Sequence, residues 1–296
     1  MRQLGSSDLL ISSVGFGCMS LGESEAENTH LVHRALDLGI NFFDTADLYD
    51  KGLNEEKLGR MLKGKRDRAV VATKAGNRWR SDGSGWDWDA GKEYILQAVE
   101  KSLVRLQTDR IDLYQLHGGT TEDPIDETIA AFELLQRQGK IRYYGISSIR
   151  PNLIREYVLR SQMVSVMMQY SLLDRRPEEN CLGFLKENGI GVLARGCLAK
   201  GLLVDKMAVP YLGHNREEVE RAARAIRGIS GSVRTLAQSA LTFVLDHPAI
   251  VSAVTGIRTP EQLEEAAGVA QAPLLSGKDR EALRAGGPAN YYEEFR

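Results

Sequence analysis

The regular alternation of short apolar runs with helix-length amphipathic stretches is the feature that most limits how this chain can fold. Eight apolar runs of four to seven residues, each typical of a buried strand, lie at 13–17, 41–44, 69–74, 111–117, 142–148, 164–170, 191–195 and 250–256. Between them apolar residues recur about every 3.6 residues, as Ile95, Val99 and Leu103 do. Because such alternation favours parallel strands joined by crossover helices, eight units predict an α/β fold, a closed (β/α)8 TIM barrel.

The other segments fit additions to that barrel. Crossover helices are expected at 28–39, 54–63, 92–107, 125–138, 151–160, 178–188, 235–247 and 260–270. The first residues predict an N-terminal β-hairpin that turns at 5–7, a further helix is expected at 215–228, and a C-terminal extra segment follows the last unit. Because the 296 residues contain no linker-like stretch, the sequence predicts one domain over 1–296.

Composition and charge exclude several classes of partner. The chain is 43% hydrophobic and 26% charged, with a net charge of -2 and no basic block, so neither nucleic acid nor a membrane is an expected partner. Cys18, Cys181 and Cys197 have no metal-ligand spacing, which favours a reducing compartment and no metal site. Without a signal-peptide pattern or an apolar run of ~18 residues, we expect a cytoplasmic monomer or small homo-oligomer that acts on a small molecule.

Polar side chains follow several of the predicted strands. Asp44 ends the second run and Tyr49 follows in the connection, while Lys74 and His117 end the third and fourth runs. Each alone has an ordinary interpretation, such as a turn cap, a solvated lysine or a packed ring. In a (β/α)8 barrel, however, the carboxyl ends of the strands meet at one mouth. The four side chains therefore predict a site there.

The chemistry of these four groups suits proton transfer to a carbonyl. A phenol is a poor acid at neutral pH, and a neighbouring ammonium such as Lys74 favours its ionised form. Asp44 can be the counter-ion of that ammonium, and His117 can orient a carbonyl oxygen against the Tyr49 hydroxyl. The set lacks a nucleophile paired with a general base, which argues against hydrolysis. It also lacks clustered metal ligands.

The sequence resembles the aldo-keto reductase superfamily along essentially its whole length. The motifs that carry the resemblance are DTADLY at 44–49, VVATK at 70–74, DRIDLYQLH at 109–117, IRYYGISS at 141–148, QYSLLDR at 169–175, LAKGLL at 198–203 and GIRTPEQLEE at 256–265. The resemblance implies a barrel that reduces aldehydes or ketones with NADPH by direct hydride transfer. It also implies that the catalytic residues are Asp44, Tyr49, Lys74 and His117, with Tyr49 as the proton donor.

The resemblance further implies where the cofactor binds. The implied contacts are Ser147, Ser148 and Gln169 for the nicotinamide amide, Arg195 and Gly196 beside it, Leu198, Lys200, Gly201 and Leu202 for the pyrophosphate, and Gly256, Arg258, Thr259, Gln262 and Glu265 for the adenosine end. Three positions depart from the family pattern: Ser148 and Ala266 replace a usual Asn, and Arg195 stands where Tyr is frequent. The role of Arg195 is open between stacking on the nicotinamide and pairing with the pyrophosphate.

Three alternatives to this function remain in the sequence. The stretch VGFGCMSLG at 14–22 approaches a dinucleotide-binding pattern, but Ser20 occupies its third glycine position. A Schiff-base aldolase would use Lys74 as a nucleophile. A cofactor-sensing barrel subunit of a larger assembly would bind the same cofactor with little turnover. Binding of NADPH and an intact set of four catalytic residues would favour the reductase.

The substrate pocket is predicted from two side chains. The segment 77–91 is rich in Gly and Asp, which suggests a mobile loop, and its tryptophans suggest an apolar wall. We expect Trp79 from this segment, and Met19 after the first strand, to line the pocket. Neither names a particular aldehyde, ketone or sugar.

Overall fold

A closed ring of parallel strands forms the centre of the protein, as the alternation predicts; the computed structural model describes residues 1–295. Two antiparallel hairpins accompany it, β1 (Arg2–Gln3) with β2 (Leu10–Ile11) and β6 (Asn77–Trp79) with β7 (Trp86–Trp88). The barrel strands are β3 (Val14–Gly17), β4 (Phe42–Asp44), β5 (Val70–Ala75), β8 (Ile111–Leu116), β9 (Ile141–Ser147), β10 (Ser165–Gln169), β11 (Gly191–Arg195) and β12 (Ile250–Gly256).

Neighbouring barrel strands follow the order of the chain, and β12 closes the ring against β3. The register places Asp44 opposite Gly17 and Gln169 opposite Arg195. All these pairings are parallel, so the carboxyl ends of the eight strands share one end of the barrel. That end is the mouth at which the polar strand ends were predicted to meet.

Helices surround the ring within the part of the chain that is described. They are α1 (Glu25–Asp37), α2 (Leu53–Met61), α3 (Lys92–Leu106), α4 (Ile125–Arg137), α5 (Pro151–Arg160), α6 (Leu182–Glu187), α7 (Arg216–Ile229), α8 (Leu236–Asp246), α9 (Pro260–Ala267) and α10 (Gly277–Gly286). The eight predicted crossover helices are present, α7 is the further helix, and α10 lies in the C-terminal extra segment. Over residues 1–295, no helix combines the length and apolar character needed to span a membrane.

Local sequence signals explain where several helices begin. The Asn215 side chain accepts from the backbone of Glu218, whose own side chain accepts from the backbone of Asn215, so the two form a capping box at α7. Thr259 caps α9 by accepting from a backbone N–H of its first turn. Pro151 and Pro260 begin α5 and α9, where the missing N–H removes no hydrogen bond.

The N-terminal hairpin closes the end of the barrel opposite the mouth. Its side chains Leu4, Leu9 and Ile11 are buried in one apolar cluster with the barrel residues Phe42 and Leu113. The predicted hairpin is therefore part of the inner core. A second and larger apolar core lies between the barrel and the helices.

Gly5 shows how closely this hairpin approaches the barrel. Its φ is +55°, and a Cβ built there would lie 2.2 Å from the carbonyl oxygen of Val164. Both the backbone angle and the contact require a residue without a side chain. The turn predicted at 5–7 is therefore fixed by glycine.

The segment 77–91 contains a hairpin that was not predicted. Strands β6 and β7 pair with Trp79 opposite Trp86. Its third tryptophan, Trp88, donates from Nε1 to Asp123 Oδ1 over 2.8 Å and ties the hairpin to the loop after β8. The sequence did not predict this hairpin because the partner of Trp88 is distant in sequence.

Candidate active site

Four polar side chains meet at the mouth of the barrel. Asp44, Lys74 and His117 stand at the ends of β4, β5 and β8, which are consecutive around the ring. The chain after β4 then makes a 3-10 turn over Tyr49–Gly52. This turn places the Tyr49 ring edge-on to the His117 ring, with 5.7 Å between the ring centres. The structure therefore brings all four predicted catalytic residues together.

The turn that carries Tyr49 has an unusual backbone. Asp50 and Lys51 have φ values of 51° and 54°, and Gly52 follows at 91°. Left-handed conformations cost free energy for residues other than glycine, and such costs are frequent at functional sites. The strain falls on Asp50 and Lys51, the two residues that directly follow Tyr49.

Lys74 is the centre of the hydrogen bonding. Its side chain is completely buried, and Nζ donates to Asp44 Oδ2 and to the Thr45 carbonyl oxygen, each at 2.7 Å. Nζ also lies 3.5 Å from the hydroxyl oxygen of Tyr49. Burial alone would lower the pKa of Lys74, but Asp44 and Tyr49 outweigh burial and raise it. The lysine is therefore held as an ammonium beside the phenol.

His117 is held by its backbone and has a neutral ring. Its N–H donates to the Ala75 carbonyl oxygen at 2.8 Å, and its own carbonyl oxygen accepts from Asn77 Nδ2 at 3.0 Å. Burial, with the positive charges of Lys74 and Arg195, lowers the pKa of His117 to about 3. At neutral pH the imidazole therefore carries a single N–H that can be donated to a ligand.

Two buried acids lie directly behind this group and were not predicted. The Asp47 N–H donates to the Lys74 carbonyl oxygen at 3.1 Å, and Asp47 Oδ2 accepts from the Tyr94 hydroxyl at 3.2 Å. Glu55 Oε2 accepts from Arg105 Nε at 2.6 Å. Burial and the negative charge of Glu55 raise the pKa of Asp47 to about 7. The position of Asp47 inside the motif DTADLY was the only signal available.

The predicted nicotinamide contacts stand at the ends of β9, β10 and β11. Ser147 and Ser148 are buried, and Ser148 Oγ accepts from the Arg150 N–H at 3.2 Å. Arg195 Nη1 donates to Gln169 Oε1 at 3.0 Å. Two roles were left open for Arg195, stacking on the nicotinamide and pairing with the pyrophosphate. Its hydrogen bond to Gln169 belongs to neither of them.

The loop after β11 presents its backbone to the mouth. Gly196, Lys200 and Gly201 have φ values of 69°, 58° and 92°. Leu202 is buried and Leu198 is partly buried, and both side chains pack in the larger core. Backbone in such conformations directs neighbouring N–H groups into concavities that suit anions.

The predicted adenosine contacts surround the start of α9. Gly256 ends β12, and the capping residue Thr259 accepts from the Gln262 N–H at 3.3 Å. Gln262 Oε1 accepts from the Arg258 N–H at 2.9 Å, so these two residues fix each other's position. Arg258 is exposed, and Glu265 lies one turn further along the helix.

The two predicted pocket residues stand after β3 and β5, the two strands that flank β4 in the ring. Met19 follows β3 and is 69% exposed. Trp79 is half-buried, and its Nε1 donates to the Leu48 carbonyl oxygen at 3.3 Å, directly before Tyr49. The Lys51 ammonium lies 5.2 Å from the centre of the Trp79 ring. Trp79 is therefore in contact with the segment that carries Tyr49.

Comparison with known proteins decides the family. The protein-family model for the aldo/keto reductase family matches residues 13–285 of this chain. The chain belongs to the aldo/keto reductase family. It is 49% identical to the uncharacterized oxidoreductase YqkF of Bacillus subtilis, in an alignment that covers 100% of this chain and 99% of YqkF. The resemblance read from the motifs is confirmed, and the chain is an oxidoreductase of this family.

Solved structures of aldo/keto reductases agree with this assignment. The holo form of AKR11C1 from Bacillus halodurans is 47% identical, with a TM-score of 0.93, over 100% of this chain and 98% of that one. The apo form of AKR11C1 has a TM-score of 0.85, so this chain is nearer to the holo form. An aldo/keto reductase from Klebsiella pneumoniae, solved in complex with NADP and acetate, is 26% identical with a TM-score of 0.79, over 96% of this chain and 94% of that one.

One further side chain of this aldo/keto reductase reaches the mouth without having been predicted. The Tyr211 hydroxyl, from the segment between β11 and α7, accepts from Gln169 Nε2 at 3.1 Å. No motif marks Tyr211, which lies 42 residues after Gln169. Within residues 1–295, no group of three or more His, Cys, Asp or Glu side chains is placed to hold a metal ion.

Proposed function

We propose that this aldo/keto reductase reduces aldehydes or ketones to alcohols with NADPH, with Tyr49 as the proton donor. The observation that carries the proposal is the buried Lys74 ammonium, which lies 2.7 Å from Asp44 Oδ2 and 3.5 Å from the Tyr49 hydroxyl. An ammonium in this position stabilises the phenolate that remains when Tyr49 gives up its proton. It thereby makes a tyrosine effective as an acid at neutral pH.

Each of the four residues then has a separate task. Tyr49 donates its proton to the carbonyl oxygen of the substrate as negative charge develops there. Lys74 stabilises the charge left on Tyr49, and Asp44 keeps Lys74 charged and in place. Neutral His117 donates its N–H to the same carbonyl oxygen and so fixes the direction from which Tyr49 approaches it.

The residues at the other side of the mouth fit a phosphorylated dinucleotide. None of the ion pairs formed within residues 1–295 includes Arg195, Lys200 or Arg258, so no carboxylate neutralises these cations before a ligand binds. The N-terminal turn of α9 adds backbone N–H groups beside Arg258. When bound, the reduced nicotinamide supplies the hydride.

The residues proposed to hold the cofactor all stand at or after the carboxyl ends of β9, β10, β11 and β12. They are Ser147, Ser148, Gln169, Arg195, Gly196, Leu198, Lys200, Gly201, Leu202, Gly256, Arg258, Thr259, Gln262 and Glu265. Met19 and Trp79 are proposed to line the substrate pocket. The substrate is proposed to be a small-molecule carbonyl compound, which can reach the half-buried Tyr49 side chain at the mouth.

The geometry argues against the aldolase alternative. A Schiff-base lysine must be an uncharged amine when it attacks a carbonyl carbon. Lys74 is instead held as an ammonium between Asp44 and the Thr45 carbonyl oxygen. The completeness of the four-residue group likewise supports turnover over a role in cofactor sensing alone.

A panel assay tests the proposed reaction. Purified protein is incubated with NADPH and a series of aldehydes, ketones and sugars, and NADPH consumption is followed by its absorbance. We expect substrate-dependent oxidation of NADPH with at least one class of carbonyl compound. Binding of NADPH without turnover of any member of a broad panel would contradict the proposal and favour the sensing role.

A further inference from the structure

The amide of Gln169 is hydrogen-bonded at both of its polar atoms. Met167, two residues earlier in β10, belongs to the cluster inside the barrel, and side chains along a strand alternate between faces. Gln169 therefore points inward at the rim of the mouth. There Oε1 accepts from Arg195 Nη1 at 3.0 Å, and Nε2 donates to the Tyr211 hydroxyl at 3.1 Å.

These two partners set the orientation of the amide. A guanidinium has donors only, so the atom of Gln169 that faces Arg195 must be the oxygen. The nitrogen must then face Tyr211, whose hydroxyl oxygen can accept. A flipped amide would direct N–H groups at the Arg195 cation, which is unfavourable. Arg195 and Tyr211 together therefore hold the amide in a single orientation.

One acceptor and one donor of Gln169 remain free. An amide oxygen has two lone pairs and an amide nitrogen has two N–H groups, and the partners use one of each. The side chain therefore offers an acceptor and a donor side by side. A primary carboxamide is the complement of this pair, because it presents one N–H donor and one carbonyl acceptor at the same spacing.

The backbone around this group is built for the arrangement. Tyr211 and His214 exchange two backbone hydrogen bonds of 3.0 Å, and between them Leu212 and Gly213 have φ values of 49° and 83°. Two consecutive positive φ values make a tight turn of the hairpin type. A Cβ on Gly196 would lie 3.1 Å from Cγ of Gln169, so the backbone there packs directly on the Gln169 stem.

We propose that Tyr211 is a positioning residue, which together with Arg195 presents Gln169 as a reader of the cofactor's carboxamide. The inference rests on the proposed use of NADPH and adds to it the residue that makes the enzyme selective for an intact nicotinamide. It also assigns Arg195 a role as the partner that fixes the Gln169 amide.

Three ligands separate this role from general damage to the site. They are NADP⁺, its acetylpyridine analogue, in which a methyl ketone replaces the carboxamide, and adenosine 2′,5′-bisphosphate, which has no nicotinamide. Dissociation constants are measured for the wild type, Tyr211→Phe and the control Tyr143→Phe. Like Tyr211→Phe, the control variant loses a hydroxyl that accepts a hydrogen bond: the Tyr143 hydroxyl accepts from the Asp8 backbone N–H at 3.3 Å. Tyr143 lies at the opposite end of the barrel from the mouth.

We expect Tyr211→Phe to weaken NADP⁺ binding about threefold to tenfold, the range for one hydrogen bond. Binding of the bisphosphate should not change, and the preference for NADP⁺ over the analogue should shrink by a similar factor. Tyr143→Phe should behave as the wild type with all three ligands. Arg195→Met, which removes the donor to Gln169 Oε1, should shrink the same preference and serves if Tyr211→Phe does not fold.

Three outcomes would overturn the inference. If Tyr211→Phe weakens NADP⁺ and the bisphosphate equally, or leaves the preference over the analogue intact, Tyr211 does not position Gln169. If the wild type binds none of the three ligands, the proposed cofactor is itself wrong and the inference fails with it. The two failures are distinguished by the wild-type measurement alone.

Discussion

The proposed chemistry depends on Lys74, whose ammonium group is completely buried. Removing two charges from water is costly, and the cost is offset only when the charges are close and their other hydrogen-bonding positions are used. Lys74 meets this condition through Asp44 and the Thr45 carbonyl oxygen, each at 2.7 Å. The third direction of the ammonium faces Tyr49, which is where the chemistry needs it.

Because Asp44 and Lys74 compensate each other, their substitutions should not be additive. Lys74→Met leaves a buried carboxylate without its counter-ion and should cost about 3–5 kcal/mol of unfolding free energy. In Lys74→Met with Asp44→Asn no charge remains, so the double variant should lose clearly less than the sum of the two singles. Urea unfolding of the four proteins measures this; additivity within ~0.5 kcal/mol would mean that the pair is not coupled.

Asp47 lowers the stability of the folded protein as the pH rises. Burial and Glu55 raise its pKa in the folded protein to about 7, above the value near 4 of an unfolded chain. The folded state therefore binds the proton more tightly, and stability falls as the pH rises from about 4 to about 7. Above that window the charged carboxylate is a net cost.

Asp47→Asn should remove this pH dependence. We expect the stability of the variant relative to the wild type to rise by on the order of 2 kcal/mol between pH 5 and pH 8. Thermal melting across that range measures the difference. As a control, Asp67→Asn changes a carboxylate that is 92% exposed and should show no such trend. A constant difference between Asp47→Asn and wild type would refute the shifted pKa.

Among the elements, the β6–β7 hairpin is the clearest case in which the sequence of a segment does not reveal its long-range contacts. The Trp88 ring packs on two glycines, Gly76 after β5 and Gly118 after β8. A Cβ added to Gly76 would lie 2.7 Å from this ring, and a Cβ added to Gly118 would lie 3.2 Å from it. Together with the hydrogen bond from Trp88 to Asp123, this packing joins the hairpin to the loops after β5 and β8. These contacts cross many residues of sequence, so composition alone indicated only a loop.

The same hairpin should influence which substrates are accepted. Trp79 contacts the segment before Tyr49, whereas Trp86, its partner across the hairpin, is 47% exposed. Trp79→Ala should change the order of KM values between bulky and small aldehydes, with little change in melting temperature. Trp86→Ala, the matched control, should leave that order unchanged. A large stability loss in Trp79→Ala with the same substrate order would make Trp79 a core residue.

The barrel strands and most helices could be predicted because each depends on a local pattern. The run 250–256 and strand β12 coincide, and Pro151 and Pro260 mark the first residues of their helices. The pairing of Tyr211 with Gln169 could not be predicted, since it depends on how a segment without a motif folds back onto the rim. Local signals predicted the elements, and long-range contacts determined the rest.

At the scale of the whole molecule, the mouth divides into two sides. Asp44, Lys74 and His117 stand at consecutive strands on one side. On the other side, Arg195 ends β11 and Arg258 follows β12. The motifs offered candidates on both sides because each of these residues stands at or shortly after a predicted strand end. They did not predict Asp47, which lies one layer behind the mouth.

Arg258 should determine the choice between NADPH and NADH. The two differ by one phosphate, and a charge-assisted hydrogen bond to it is worth about 1.5–3 kcal/mol, or roughly tenfold to a hundredfold in affinity. Arg258→Ala should therefore weaken NADPH binding by that factor and NADH binding little. Arg34→Ala serves as the control, because Arg34 is already paired with Glu264 of α9 at 2.7 Å. Equal losses for both cofactors would show that Arg258 does not read the phosphate.

The most direct measurement is single-turnover reduction by Tyr49→Phe. Excess enzyme loaded with NADPH is mixed with a substrate found in the panel, and NADPH oxidation is followed in wild type and variant. The variant keeps the ring that packs against His117 and loses only the acidic hydroxyl. We expect unchanged NADPH binding and a rate lower by ~10²-fold or more, as for loss of a general acid. A folded Tyr49→Phe protein that reduces the substrate at the wild-type rate would contradict the role of Tyr49.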